Sequence, residues 1–419
     1  MTANAPGVEE FRQLVDREET VSLLRAAISQ ESVTGNEANF VDFLERRMAD
    51  LGLAPQRADF LPGRPNVWGE RGGTGGGDRL LFIGHTDTVH VRGWKERWQG
   101  TEREDPFAAP EIDGEIWGRG SGDLKAGICA ALSAVELLDK AGVTLKGDIA
   151  FAFVGDEESG EPGTGVSAGI KDYTQRVLSG AIGKPDFAIY VEPTRLAVFP
   201  AQMGFFIADI RINGKSAYFG VPELGVDALK AAHTVSAAIW EHSDAISARD
   251  SHPLVGRAFA LVTEMSGGGY IAVPGEARLS LIRKLLPGER LDDAVAEFEE
   301  AVNGAAVSDG ISIGISYPAG RDHQFGGSPS EVAEDLPQIQ NLAEVLGKSM
   351  PGRGQIEGAP YWSEIPFLND QIGCPAVYCA PGDITNCHTL EERVNIEEYV
   401  AGAVAFAAFI VNQCGVANR

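Results

Sequence analysis

Four short, largely apolar runs stand out along the chain, at residues 79–83, 148–154, 187–191 and 376–379. Runs of this kind predict strands buried on both faces, because the alternation of apolar and polar residues disappears when neither face meets water. Elsewhere apolar residues recur at helical spacing: Val21, Leu24, Ala27 and Ile28 within 19–30, Phe40, Phe43, Leu44 and Met48 within 36–49, and Ile128, Leu132, Val135 and Leu138 within 125–141. Ser32, Thr34, Gly35 and Asn36 read as turn and cap between the first two helices, and Gly142 stops the third. Residues 1–18 are expected to be a loose leader. A short strand is expected at 66–69, between loops at 62–65 and 72–77. The glycine run in the second loop lacks the lysine and following helix of a phosphate-cradling loop, so it reads as a hairpin tip.

Between 202 and 317 the pattern changes. Strands are predicted at 205–212, 259–264, 278–283 and 311–316, with amphipathic helices at 226–241 and 291–302, a compact α+β insertion. Helices at 331–346 and 395–411 return to the earlier character. The predicted organisation is therefore an α/β domain formed by 1–201 and 318–419, interrupted by an α+β domain at 202–317.

Composition narrows the partners. The chain has 419 residues, 44% hydrophobic, enough for a large core and more than one domain. A net charge of -25 leaves no basic face for nucleic acid or an anionic membrane surface. No opening basic-then-apolar segment and no apolar run of spanning length occurs, which predicts a soluble cytoplasmic protein. The five cysteines are odd in number and scattered, as expected of reduced thiols.

The chemistry sits where the apolar runs stop. Residues 149–154 lead into Gly155-Asp156-Glu157-Glu158-Ser159-Gly160. Two adjacent carboxylates at the end of a buried strand repel each other and lose hydration unless a positive group joins them. Alone, such a pair is more often the tip of a solvated acidic loop. The other strand ends carry the same kind of group: Gly84-His85-Thr86-Asp87 after 79–83, Glu192-Pro193 after 187–191, and Cys387-His388-Thr389 beyond 376–379. Asp123 precedes the helix at 125–141, where a carboxylate is favoured by the helix dipole with or without a metal. In an extended segment residues two apart face the same side, so Asp87 is expected to stack with His85, its carboxylate behind the imidazole. Open α/β sheets bind ligands at these strand ends. Five ligand-type residues plus Asp87 and Glu157 make a constellation far more specific than its parts.

On these residues the chain resembles the co-catalytic metallopeptidase and deacylase family of aminoacylase, acetylornithine deacetylase, succinyl-diaminopimelate desuccinylase and glutamate carboxypeptidase. The resemblance runs through Gly84 to Val89, Gly118-Arg119-Gly120-Ser121-Gly122-Asp123-Leu124-Lys125, Asp156 to Gly160, Glu192-Pro193 and His388 to Glu392. It implies a mixed-sheet metallohydrolase catalytic domain with an inserted lid and dimerisation domain. It further implies two divalent ions per subunit, zinc, manganese or cobalt, with His85 and Glu192 on one, Glu158 and His388 on the other, and Asp123 bridging both. Asp87 then stands behind His85, Glu157 is the general base, and the peptide after Asp123 is cis. The substrate is expected to be a small molecule and the assembly a homodimer or larger.

The inserted domain departs from the family pattern. Relatives carry Ala-His-Ser-Gly where this chain has Ser216-Ala217-Tyr218-Phe219-Gly220, and a polar Asn where it has Ile271, beside Tyr270. Tyr218 donates one hydrogen bond but supplies no cation. Arg283 is retained, either to take a substrate carboxylate or as a surface arginine at a strand end. Gly-Gly-Thr-Asp is replaced around Tyr361-Trp362-Ser363-Glu364. Two enzyme readings follow. The first is hydrolysis of the amide of an N-acyl amino acid or dipeptide-like carboxylate, with Tyr218, Tyr270 and Arg283 binding substrate. The second is hydrolytic deamination of an aromatic amine, as in the divergent relative 5-nitroanthranilate aminohydrolase. A catalytically silent metal-binding protein is the third reading.

Overall fold

The computed structural model describes residues 5–159 and 163–418. The chain forms two compact units, Met1–Pro200 with Val332–Gly358 and Glu364–Arg419, and Ala201–Glu331 with Ala359–Ser363.

The first unit is built on a mixed sheet whose strands run in the order Gln56–Leu61, Arg64–Arg71, Ile149–Val154, Leu80–His85, Phe187–Tyr190, Ala376–Tyr378 and Val198–Gln202. The four strands from Ile149–Val154 to Ala376–Tyr378 are parallel, so their C-terminal ends open on one edge. Every residue of these four strands is buried, which is why each reads as an unbroken apolar run. Phe82 stacks on Phe151 across the sheet and meets Phe406 of the helix Ile396–Cys414, with ring centroids 5.5 and 5.2 Å apart. That helix starts on Asn395, whose side chain accepts from the amide of Glu398 at 2.9 Å, and ends at Gly415 with φ 70°. Among the described residues, no helix is long and apolar enough to cross a membrane.

Several expectations change. Residues 1–18 are not all a loose leader: Val8–Leu14 is a helix, because Val8 and Phe11 fall on one face and bury against the helices Pro337–Ser349 and Ile396–Cys414. Gln56–Leu61 is an edge strand that the sequence did not signal, since its residues are mostly exposed. The glycine run at 72–77 is not a hairpin tip. The strands on either side of it are separated by Ile149–Val154, and the loop crosses beneath the start of that strand. Gly73 and Gly77 press against the backbone at Gly147, where a Cβ would collide. The helix Ala168–Leu178 was not anticipated, and the helix expected at 331–346 begins at Pro337.

The second unit is an antiparallel sheet in the order Phe259–Gly267, Glu276–Leu285, Gly204–Asn213 and Ser312–Ser316, with the helices Ala228–Arg249 and Leu291–Asn303 supplying the other half of its core. Along Gly204–Asn213 and Glu276–Leu285 burial alternates, as it must where only one face of a sheet is covered. The expected boundary at 317 moves to Glu331. Gly326 and Gly327 pair with Phe206 and Phe205, and Ser330 and Glu331 with Gln202 and Ala201. Residues 359–363 also join this unit, through the Trp362 ring, 5.6 Å from that of Phe205, with its Nε1 donating to Ser328 O at 3.0 Å.

Truncating Phe406 to alanine is expected to lower the denaturation free energy of the first unit by about 3–5 kcal/mol, read from urea melts. Tyr270→Ala, at a fully exposed side chain, should change stability by less than about 0.5 kcal/mol in the same measurement.

Candidate metal centre

The parallel strands bring the acidic and imidazole groups together. His85 ends Leu80–His85, Glu158 follows Ile149–Val154 and Glu192 follows Phe187–Tyr190. In register His85 lies beside Val154, and Ile83 beside Tyr190. Asp123 lies in a wide turn, Ser121–Lys125, ahead of the helix Ala126–Lys140, and its peptide bond to Leu124 is cis, as the resemblance implied. His388 comes from the loop beyond Ala376–Tyr378, with φ 60°.

Asp123 is the shared member. Its Oδ1 is 3.0 Å from His85 Nε2, and its Oδ2 is 3.0 Å from His388 Nε2. His85 Nε2 is also 3.6 Å from Glu192 Oε1, and His388 Nε2 is 3.0 Å from Glu158 Oε1. Within each of the groups His85/Asp123/Glu192 and Asp123/Glu158/His388 the ligand atoms lie within 4.8 Å of one another. Four of the five residues are buried and His388 is exposed.

Such a cluster demands positive charge. Burial opposes ionisation of Asp123, yet hydrogen bonds to His388 and His85 hold its carboxyl well below the usual range. Burial and the Asp123 charge push Glu158 up to about 8. Burial works against the His388 imidazolium, but Asp123 and Glu158 outweigh it and raise its pKa to about 11. Two imidazoles and three carboxylates, one of them offering an oxygen to each side, fit a pair of divalent cations with oxygen and nitrogen ligands. The neighbouring Cys387 is no competitor. Burial raises its thiol far above the ordinary value, and Sγ lies 3.3 Å from Asp383 O.

One assignment needs correction. The carboxylate of Asp87 was expected behind the His85 imidazole, but the strand ends at His85, so the two-residue facing does not persist. His85 Nδ1 lies 2.8 Å from the backbone oxygen of Asp87 and 3.8 Å from its carboxylate. The carboxylate instead accepts from the amides of Glu158 at 2.8 Å and Glu157 at 3.3 Å, and from the Thr34 hydroxyl at 3.1 Å. One residue thus orients the imidazole with its backbone and the Glu157–Glu158 loop with its side chain. Glu157 is partly exposed, and its charge acts on His85, Asp87, Glu158 and Glu364.

Other supports had not been singled out from the sequence. Buried Glu392 accepts from the amides of Gly122 at 3.1 Å and Asp123 at 3.0 Å, and pairs with buried Arg119. Both residues lay inside stretches that carry the resemblance, the only local signal for them. Buried Glu364 takes the Tyr190 hydroxyl at 2.9 Å.

The three residues expected to bind substrate all belong to the second unit. Tyr218 and Tyr270 are exposed, and the Tyr218 ring packs at 4.6 Å on Phe219. Arg283 is neither a surface group nor open to a carboxylate ligand. It is fully buried, with Nη2 2.7 Å from Glu289 Oε1 and Nη1 on Lys284 O, because its strand position points into the unit rather than out of it.

Fold and site define a metal-dependent hydrolase of carbon–nitrogen bonds. The sequence model described as peptidase family M20/M25/M40 matches residues 81–412, and the chain belongs to that family. It is 27% identical to an N-formyl-4-amino-5-aminomethyl-2-methylpyrimidine deformylase of Bacillus subtilis (strain 168), over 95% of each chain. It is 24% identical to an acetylornithine deacetylase of Myxococcus xanthus, over 95% of this chain and 99% of that protein. Among solved structures, an M20 family metallo-carboxypeptidase from Sulfolobus solfataricus superposes with a TM-score of 0.74 at 16% identity, covering 94% of this chain and 99% of that one. A dinuclear metal-binding M20 peptidase from Bacillus subtilis does so with a TM-score of 0.64 at 14% identity, covering 95% and 99%.

Glu392→Gln keeps an acceptor for the two amides but gives up the ion pair with Arg119. It should weaken zinc binding by roughly 10–100-fold, measured by competition with a chelator, while circular dichroism stays that of the parent protein.

Proposed function

We propose that this chain removes a short acyl group, such as formyl or acetyl, from the nitrogen of a small ring-bearing amine, using two divalent ions held by His85, Asp123, Glu158, Glu192 and His388. The observation that carries the reading is the Asp123 carboxylate set between two imidazoles, with Glu157 left out of both ligand groups on a loop pinned by Asp87. Zinc, manganese or cobalt ions bound there would supply Lewis-acid polarisation of the amide carbonyl and acidify a water. Glu157 takes the proton of the attacking water and returns it to the leaving nitrogen. Asp87 keeps Glu157 and Glu158 aimed differently by holding both amides. His388, the exposed member, stands on the solvent side of the cluster.

An acyl-amine substrate is supported by what the relatives named above act on, a formylated aminomethylpyrimidine and acetylornithine. The burial of Arg283 argues against reading it as the receptor for a substrate carboxylate, which moves the emphasis from N-acyl amino acids toward neutral or aromatic amines. Tyr218 and Tyr270 offer exposed faces suited to a flat ring. The same aromatic tip supports the second reading, expulsion of ammonia from an aromatic amine. Self-association belongs to the proposal as well, since Leu229, Trp240, Leu261 and Met265 leave apolar surface exposed on the second unit.

A panel of N-formyl and N-acetyl amines, aromatic and aliphatic, assayed beside amino-aromatics separates these readings. Formate or acetate release supports deacylation, ammonia release from amino-aromatics supports deamination, and silence toward both with metals bound points to a non-catalytic protein. Glu157→Gln should retain two equivalents of metal by elemental analysis while kcat falls by about 10²–10⁴-fold. A parent protein that binds fewer than two equivalents would count against the two-ion reading.

A further inference from the structure

The Glu157–Glu158 loop is held from below by an ion network that touches neither ligand group. Asp156 is fully buried and has φ 73°, a left-handed backbone that a residue other than glycine keeps only when its surroundings impose it. Its carboxylate accepts from the amides of Gly165 at 3.2 Å, Val166 at 3.1 Å and Ala168 at 3.2 Å, and from Arg64 Nη1 at 2.8 Å. The other edge of the Arg64 guanidinium lies on fully buried Glu37, with Nε 3.1 and 3.2 Å from its two oxygens. Glu37 opens the helix Ala38–Asp50 and also takes the amide of Gly35 at 2.9 Å. Asn66, on the same strand as Arg64, accepts from the amide of Gly155 at 3.1 Å. One arginine thus compensates two buried carboxylates and ties a helix start and a sheet strand to the loop that carries Glu158. A planar fork of donors suits that task, and a lysine ammonium reproduces its charge but not its two-edged geometry.

The other ligands are anchored differently. His85 is held within its strand and by the backbone oxygen of Asp87, Glu192 follows a central strand, and Asp123 rests on Glu392. We propose that Arg64, acting through Asp156, is a positioning residue for one of the two metal positions: it sets the affinity of the Glu158/His388 position and leaves the His85/Glu192 position unaffected. The inference rests on the two-ion reading, which the metal content of the unmodified chain tests separately.

The experiment titrates metal-stripped protein with zinc against a competing chelator. His85→Ala reports on the Glu158/His388 position and His388→Ala on the other. Arg64→Lys should weaken zinc binding by roughly 10–100-fold in the His85→Ala background and change it by less than about twofold in the His388→Ala background. Asp156→Asn, which removes the charge facing Arg64 and leaves one acceptor oxygen where the carboxylate had two, should give the same asymmetry and serves if Arg64→Lys does not fold. Equal losses in both backgrounds, or none in either, would overturn the proposal.

Discussion

The constraint on which the structure depends is the mutual repulsion of carboxylates taken out of water at one edge of a parallel sheet. Asp123, Glu158 and Glu192 are buried side by side, with Asp87 and Glu364 close enough for their charges to matter. A single ionised carboxylate buried without compensation costs more than a marginally stable fold can supply. Within the ligand groups, the compensation offered by the chain itself is two imidazoles, both turned toward Asp123. A pair of divalent cations balances such a cluster far better than two protons do, and it converts the cost of assembling the acids into binding energy for the metal.

The fold solves the placement problem before it solves the charge problem. Parallel strands share one direction, so residues just past their ends converge without any loop having to reach far. Two of the segments that carry these groups are also braced by distant side chains. Asp123, in its wide turn, has its amide fixed by Glu392, 269 residues further along the chain. The Glu157–Glu158 loop is gripped by the Asp87 carboxylate from one side and by Asp156 with Arg64 from the other. Rigidity therefore comes from long-range side-chain contacts where the sheet cannot provide it.

That division explains what the sequence could reveal. Buried strands are visible as apolar runs, and groups of ligand type just beyond them are visible by position, so the five clustered residues and Glu157 were open to reading. Interactions such as Arg119 with Glu392 or Arg64 with Asp156 leave no local periodicity, because each partner alone looks like an ordinary charged residue. Asp87 was read from the rule that alternate strand residues share a face. The rule failed because the strand stopped at His85, two residues short of Asp87, leaving the backbone oxygen rather than the carboxylate beside the imidazole. Arg283 was read at a strand end as either a ligand or a surface group, whereas the alternation of Glu276–Leu285 puts it on the buried side. The boundary near 317 was missed for a related reason: Gly326 and Gly327 pair with the distant Phe206 and Phe205 and carry no strand pattern of their own.

Metal-assisted amide cleavage is indifferent to most of what is attached to the nitrogen, so the metal centre explains the reaction and leaves the substrate open. Discrimination among small acylated amines must come from groups off the metals, where a hydrogen-bonding partner separates substrates far more sharply than apolar volume does. Of the two obvious polar selectors, one is replaced and the other is retained but buried. The position that carries histidine in the resembling family holds Tyr218, which donates one hydrogen bond and stays uncharged near neutral pH. Arg283 is the buried one, with Nη2 on Glu289. What remains exposed on the second unit is aromatic and aliphatic surface at Tyr218, Phe219, Tyr270 and Ile271. A surface of that chemistry takes a flat ring by stacking and by exclusion of water, whereas the clustered imidazoles and carboxylates belong to the first unit.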